Sequence, residues 1–365
     1  MSTTLGPTAP AVRRAAFHPL AVASVERLCD DAVAVTFDVP VELAADYTFA
    51  PGQSLTLRRT VDGQEQRRSY SICAAAGLPP RVGVREVPGG LFSSWLVHEV
   101  SAGDVVEVQT PTGSFSADPA AGGRHVLIAA GSGITPVLSI AASLLRDSDA
   151  RVSLLYGNRR TSTVMFAEEL GDLKNEYGPR LDLIHVLSRE PREVELFSGR
   201  LDAERIRALL LALVPVEVVD HFWLCGPYAM ITEARQVLGE LGVAPGQVHL
   251  ELFYVDEVPP EPVRPQEAAN GDEPSSDVTL VLDGRSSRLR LPRSAAILDS
   301  AQKSRSDLPF ACKGGVCGTC RARITAGEVD LRRNYALEPA ELAAGFVLTC
   351  QSYPVSDEVT VDYDS

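Results

Sequence analysis

Short alternating runs dominate the first third of the chain. Ala32–Phe37, Ser54–Leu57, Arg68–Cys73, Arg81–Val87 and Asp104–Gln109 are valine-rich segments bounded by Pro and Gly. A period of two predicts strands that face a core on one side, so residues 14–119 are expected to form an antiparallel β-barrel or sandwich. Gly90–Val97 reads as a short helix set among those strands. From 120 to 254 the pattern changes. Apolar strand-like runs at His125–Ala130, Val152–Tyr156, Leu181–Leu187 and His221–Cys225 alternate with helical periodicity near Thr135–Pro136, at Val164–Asp172, around Ala203–Leu211 and at Tyr228–Leu238. That alternation predicts an α/β unit built on a parallel sheet.

The pattern then breaks. Asp256–Ser276 holds six acids, one arginine and five prolines. Such a stretch cannot bury enough apolar area to order itself, and residues 255–276 are read as a linker. Beyond it, Val278–Leu282 and Ser287–Leu291 suggest a hairpin around Asp283–Gly284. Ala296–Lys303 suggests a short helix, and Arg321–Thr325 and Val359–Asp362 two further strands. Residues 277–365 are thus expected to form a small α+β module, and the whole chain to be multidomain.

Composition narrows the function classes. A net charge of −14 disfavours nucleic acid and anionic lipid as partners, and no apolar run is long enough to span a bilayer. Met1–Pro10 has neither the charged start nor the apolar core of a signal peptide, so a cytoplasmic setting is expected. Of seven cysteines, Cys29, Cys73 and Cys225 are scattered, while Cys312, Cys317, Cys320 and Cys350 fall in the last fifth of the chain. In a reducing compartment that asymmetry points to a metal centre rather than disulfides.

The metal motif runs Cys312-Lys313-Gly314-Gly315-Val316-Cys317-Gly318-Thr319-Cys320, with Cys350 following after 29 intervening residues. Spacings of four and two intervening residues place three thiolates on one tight loop and leave the fourth to a distant segment, a donor set for the two irons of a [2Fe–2S] cluster. The glycines let the loop curl and aim N–H groups at sulfur. A structural zinc site is the alternative, although its usual paired C-x₂-C knuckles are only half present.

Three further motifs carry anion and ring chemistry. In Arg68-Ser69-Tyr70-Ser71-Ile72 the alternation puts Arg68 and Tyr70 on one face, a cation for a pyrophosphate and a ring to pack against a flavin, with Ser71 available to the flavin's polar edge. An exposed strand face would read the same way. Gly89-Gly90-Leu91-Phe92-Ser93-Ser94 can direct N–H groups at a phosphate, or be a plain glycine turn with Ser93 as cap. Gly131-Ser132-Gly133-Ile134-Thr135-Pro136 follows an apolar strand and opens a helix, a turn suited to a pyrophosphate, though Pro136 stands where the dinucleotide fingerprint has its third glycine. Arg159, Ser188 and Arg189 end neighbouring strands as contacts for adenosine phosphates, and solvated arginines on loop ends would read the same way. As contacts they favour NADPH, while Glu190 keeps NADH open. Cys225-Gly226-Pro227 again joins strand to helix, and Phe253 either covers a ring or simply packs.

In this order the motifs resemble the ferredoxin–NADP reductase superfamily over residues 17–254, and the terminal module is similar to plant-type ferredoxins, a β-grasp fold. The resemblance implies an FAD held by Arg68 and the Gly90-Leu91-Phe92-Ser93 turn beside Tyr70. FMN, used by one branch, is the alternative. It also implies a nicotinamide near Cys225, whose thiol shapes the hydride path with Tyr70 and Ser71 rather than acting as a nucleophile. The fusion resembles the reductase components of multicomponent oxygenases. Phe17-His18-Pro19-Leu20, Arg332-Arg333-Asn334-Tyr335-Ala336-Leu337-Glu338 and Gly345-Phe346-Val347-Leu348-Thr349-Cys350-Gln351 resemble the phenylacetyl-CoA epoxidase reductase family. That family's partner is a di-iron oxygenase. The ketosteroid 9α-hydroxylase reductases share the architecture, and a cluster-bearing redox sensor is the alternative of a different class.

Overall fold

The computed structural model describes residues 16–254, 274–305, 307–337 and 339–365. The segment expected to be a linker lies for the most part outside the described residues. No helix among the described residues is long and apolar enough to cross a membrane.

The first unit comprises β1 (Phe17–Cys29), β2 (Ala32–Asp38), β3 (Ser54–Val61), β4 (Gln64–Ser71), β5 (Arg81–Arg85), α1 (Leu91–His98) and β6 (Val105–Gln109). Its antiparallel sheet has the order β4-β3-β6-β1-β2-β5. The two edges meet where Ile72 bridges Val82 and the Cys73 N–H donates to the Arg81 carbonyl at 2.8 Å, which curls the sheet into a barrel. The strand predicted at Arg68–Cys73 begins earlier because Asp62 and Gly63 both adopt positive φ (50° and 74°) and turn β3 into β4. Leu20, Leu55, Leu57, Val82 and Leu96 fill the interior.

The second unit comprises β7 (Arg124–Ala130), α2 (Ile134–Asp147), β8 (Arg151–Asn158), α3 (Ala167–Tyr177), β9 (Leu181–Leu187), α4 (Ala203–Leu213), β10 (His221–Pro227), α5 (Tyr228–Glu240) and β11 (Val248–Tyr254). All five strands are parallel, in the order β11-β10-β7-β8-β9. The helices cover both faces, so strands such as β7 are buried almost throughout; each fully buried leucine there contributes about 1.5–3 kcal/mol. The apolar spacing predicts a helix from Val164, but α3 starts at Ala167. Val164, Met165 and Phe166 are instead a buried connection, with Phe166 in the left-handed region (φ 58°). The Phe166 ring packs where a Cβ on Gly83 would lie 2.8 Å from it, so its apolar spacing serves the contact with the barrel rather than a helix.

The third unit comprises β12 (Ser275–Leu282), β13 (Arg285–Pro292), α6 (Ile297–Ala301), β14 (Arg321–Ala326), β15 (Val329–Leu331), α7 (Pro339–Ala343), β16 (Phe346–Leu348), β17 (Ser352–Pro354) and β18 (Glu358–Asp362). Its main sheet, β13-β12-β18-β14-β16, pairs β12 with β18 in parallel and the other neighbours antiparallel. The small helix α6 closes a core of Val278, Leu280, Ile297, Leu298 and Val361.

Candidate functional site

Strand order fixes where a nucleotide can enter. The chain moves outward from β7 through β8 to β9, then returns to place β10 on the other side of β7. The two C-terminal turns at that reversal diverge and leave a crevice, the usual ligand position in an open α/β sheet. One turn is Gly131-Ser132-Gly133, with Gly131 at φ 56°. The other is Cys225-Gly226-Pro227. They approach so closely that a Cβ on Gly133 would lie 2.2 Å from the Cys225 carbonyl oxygen. Thr135 and Pro136 are buried under this turn, and the Thr135 hydroxyl donates to the Ser132 carbonyl at 3.0 Å. They shape the turn from behind.

The barrel meets this crevice through β4. The Ser71 hydroxyl donates to Glu251 Oε2 at 3.0 Å, and the Cys225 thiol faces the same oxygen at 3.9 Å. Three segments far apart in sequence therefore converge on one carboxyl group. Burial pushes the Glu251 carboxyl up to about 8, against the pull of its bonds from Ser71 and Cys225. Burial, followed by the neighbouring Glu251, raises the Cys225 thiol well above its ordinary value. At neutral pH both groups are protonated, so the site holds a carboxylic acid and a neutral thiol rather than a nucleophilic pair. Glu251 enters this site only because β11 lies beside β10, with Cys225 and Glu251 in register. Phe253, two residues further along β11, packs against the core under the α2 side of the sheet.

Along β4, Arg68 and Tyr70 share a face as the alternation predicted. Arg68 is exposed, with Nη1 donating to the Arg67 carbonyl at 2.6 Å. Tyr70 is tilted against Phe92 of α1, ring centroids 6.2 Å apart. No side chain caps α1 at Gly90, which leaves its first turn to an anion. Ser93 is not a cap: its hydroxyl accepts from the Val87 N–H at 3.0 Å and closes the turn preceding the helix. Leu91 is exposed and Phe92 buried. A cation, a half-buried ring and an open helix start thus lie along one rim, a set that fits a flavin nucleotide.

The far end of the crevice is polar. The Ser188 N–H donates to the Asn158 carbonyl and the Arg189 N–H to the Arg159 carbonyl, at 2.9 and 2.8 Å, so the loops after β8 and β9 run on together and bring the two arginines side by side. The Asn158 side chain is buried, and neither of its polar atoms has a partner among the described residues. Buried amides are normally satisfied, which fits a site whose ligand completes them. Glu190 is already engaged, accepting from the Thr161 N–H at 2.8 Å and the Thr161 hydroxyl at 2.7 Å.

The cysteine loop turns thiol and backbone N–H donors toward its own sulfurs, which lowers Cys312 and Cys320 and raises the donating partners Cys317 and Cys350. Lys313, Gly315 and Gly318 all have positive φ (54°, 80° and 67°), which winds the loop around its own centre. The Gly314 and Cys317 N–H groups donate to Cys312 Sγ at 3.3 and 3.4 Å. A hydrogen bond from the Cys317 thiol, followed by backbone N–H groups, pulls Cys312 down to about 5, and Cys320 is lowered by its bond with Cys350. The four sulfurs therefore fall into two pairs. Two pairs suit the two irons of a [2Fe–2S] cluster, each taking two protein sulfurs.

Comparison with known proteins agrees with each part. Residues 19–116 match the oxidoreductase FAD-binding domain, 127–236 the oxidoreductase NAD-binding domain, and 280–355 the 2Fe-2S iron-sulfur cluster binding domain. The chain is 41% identical over 355 residues to one of the subunits of the 1,2-phenylacetyl-CoA epoxidase of Escherichia coli K12, covering 96% of this chain and 98% of the relative. It is 32% identical to the ferredoxin reductase component of 3-ketosteroid-9-alpha-monooxygenase from Rhodococcus rhodochrous, covering 94% and 96%. Among solved structures, phthalate dioxygenase reductase, described as a modular structure for electron transfer from pyridine nucleotides to [2Fe-2S], aligns with a TM-score of 0.61 at 25% identity. That alignment covers 95% of this chain and 98% of the other. FAD, a nicotinamide nucleotide and a [2Fe–2S] cluster are accordingly the cofactors of these three domains.

Proposed function

Because this chain belongs to the family of oxygenase reductases that join FAD- and NAD-binding domains to a [2Fe–2S] domain, we propose that it draws on NADPH to supply single electrons to a di-iron oxygenase, the phenylacetyl-CoA epoxidase of phenylacetate catabolism. FAD supplies the two-electron to one-electron conversion when bound, and the chain supplies orientation and charge.

In this reading residues 14–119 hold FAD, 120–254 hold NADPH, 255–276 link and 277–365 hold the cluster. Arg68 and the Gly90–Ser93 turn would take the FAD pyrophosphate, and Tyr70 would pack on its ring. Gly131 and Gly133 leave room for the NADPH pyrophosphate, with Thr135, Pro136, Gly226 and Pro227 shaping the turns. Arg159, Ser188 and Arg189 would receive the adenosine phosphates. NADPH is favoured because two cations, Arg159 and Arg189, are brought together by the paired loops after β8 and β9, while Glu190 is held by Thr161. Ser71, Cys225 and Glu251 keep protons, and no charge, where hydride is handed over. Cys312, Cys317, Cys320 and Cys350 would ligate the irons, and a cytoplasmic setting keeps those thiols reduced for cluster assembly.

The observation that carries the reading is the convergence of Ser71, Cys225 and Glu251 on one chain with a paired four-cysteine loop. Reconstitution tests it. With the oxygenase subunits of a phenylacetyl-CoA epoxidase, NADPH oxidation should couple to epoxide formation. Coupling only to a ketosteroid hydroxylase would move the assignment to that partner. Failure to pass electrons to any acceptor, with FAD and cluster fully loaded, would leave a redox sensor.

A further inference from the structure

Arg67 occupies a place that neither the hydride site nor the cluster ligands account for. It lies on the face of β4 opposite Arg68 and Tyr70, and it is 6% exposed. Its carboxylate partner is Glu65, with Nε to Oε1 at 2.7 Å and Nη2 to Oε1 at 2.6 Å. The guanidinium also lies against two rings: Phe17 of β1 at 5.1 Å and Phe310 at 4.4 Å. Phe310 stands two residues before Cys312, at the entrance to the cluster loop. A second cation, Lys313 Nζ, sits 4.9 Å from the same ring and is itself fixed by Asp299 at 2.9 Å and Gln302 at 2.7 Å.

Burying an arginine on the outside of a barrel is costly unless its charge is paired and its plane is stacked. Glu65 supplies the pairing, Phe310 of the third unit supplies the nearer ring, and Phe17 of the barrel is shared with Arg58, which lies closer to it at 4.2 Å. An independent contact lies nearby. Tyr228, which opens α5 directly after Cys225-Gly226-Pro227, meets Tyr335 edge to face at 5.4 Å. The Tyr335 N–H in turn donates to the Gly315 carbonyl of the cluster loop at 3.0 Å. The loop is therefore tied both to the strand that bears Tyr70 and Ser71 and to the helix that follows the nicotinamide turn.

We propose that Arg67 is a positioning residue for the one-electron step: by lying against Phe310, which leads into the cluster loop, it holds the Cys312 side of the loop against β4. The inference rests on the flavin and cluster reading above. The stoichiometry is that of the reaction already proposed. One NADPH gives up a hydride and becomes NADP⁺; two one-electron reductions of the cluster consume its electrons; the proton is released to water. Arg67 makes and breaks no bond.

The test uses full-length holoprotein with both cofactors bound and follows NADPH-driven flavin bleaching and cluster reduction separately by stopped-flow absorbance. In Arg67→Ala, cluster reduction should slow about tenfold as the loop moves away from β4, because positioning governs the rate, while flavin bleaching stays within about twofold. The electron paramagnetic resonance spectrum of the chemically reduced cluster should be unchanged, and amide hydrogen exchange should rise across 308–313. Phe310→Tyr should retain the rate and Phe310→Leu lose it, which gives a second measurement if Arg67→Ala folds poorly. Wild-type cluster reduction in Arg67→Ala and Phe310→Leu overturns the proposal, as does slowing of flavin bleaching by the same factor in both variants with flavin and cluster fully bound. If the wild type itself passes no electrons from NADPH to its cluster, the functional reading falls, and this inference with it.

Discussion

Cys225 and Cys312 are the same side chain put to opposite uses. Cys225 is fully enclosed beside a carboxyl group, and burial drives its thiol up until it holds its proton at any ordinary pH. Cys312 lies on a loop whose amides and neighbouring thiol point at its sulfur, and it is pulled down to about 5. One environment excludes negative charge, and the other offers Cys312 a thiol donor from Cys317, itself raised, and then backbone N–H groups. The contrast separates the two halves of the chemistry. In the proposed reading, hydride arrives where protons are stored and charge is kept out, and single electrons leave where sulfur must be anionic to bind iron.

The largest test of this contrast is Cys312→Ser. It should abolish the visible absorption of the cluster and all cluster-dependent reduction of a one-electron acceptor, with NADPH-driven flavin bleaching retained within about twofold. Loss of flavin bleaching to the same degree would mean the two ends are not separable. Next comes Gly133→Ala, whose Cβ would lie 2.2 Å from the Cys225 carbonyl oxygen. The crevice must open to admit it, and bleaching should slow by about 100-fold while bound flavin and cluster are both kept. An unchanged rate would show that nicotinamide does not approach between these turns.

A smaller effect is expected from Glu251→Gln, read as a pH profile. The wild-type carboxyl loses its proton as pH rises through about 8, and the carboxylate formed beside Ser71 and Cys225 opposes the negative charge that hydride brings. The bleaching rate should therefore fall across that range and become flat in Glu251→Gln. Stability has the same sign. The folded chain holds this proton above 4.5, the ordinary carboxyl value, so the contribution is complete below 4.5 and is lost as pH rises through about 8. Thermal melts of the variant should lack that decline. Ser71→Ala is the smallest change. It removes one hydrogen bond, about 1 kcal/mol, and because that bond lowers the Glu251 carboxyl, the inflection should move upward. A downward move would contradict the arrangement.

Which features were legible follows from how local their signals are. The cysteine loop was readable because three ligands and their glycines lie within nine residues. The β4 alternation was readable for the same reason. Asp283-Gly284 announced its hairpin between apolar strands, and both residues do adopt positive φ. Asp62-Gly63 makes the same turn, but Arg58, Arg59, Glu65 and Gln66 around it hide the strand pair behind polar side chains. The Ser71–Glu251 bond joins residues 180 positions apart. No local spacing encodes it, since it exists only once the barrel is seated against the parallel sheet and β11 beside β10. Arg67 was invisible for a further reason: next to Arg68 it reads as one more surface cation, and only the ring of Phe310 reveals it as interior.

The state of Cys225 also bears on durability. Sulfur oxidation by peroxide begins from an exposed thiolate and climbs through sulfenic to irreversible acids. A thiol that is both enclosed and firmly protonated offers neither the nucleophile nor the access. Cys225 is therefore also among the cysteines hardest to oxidise, so on the proposed reading the turn that would receive nicotinamide is shielded from peroxide.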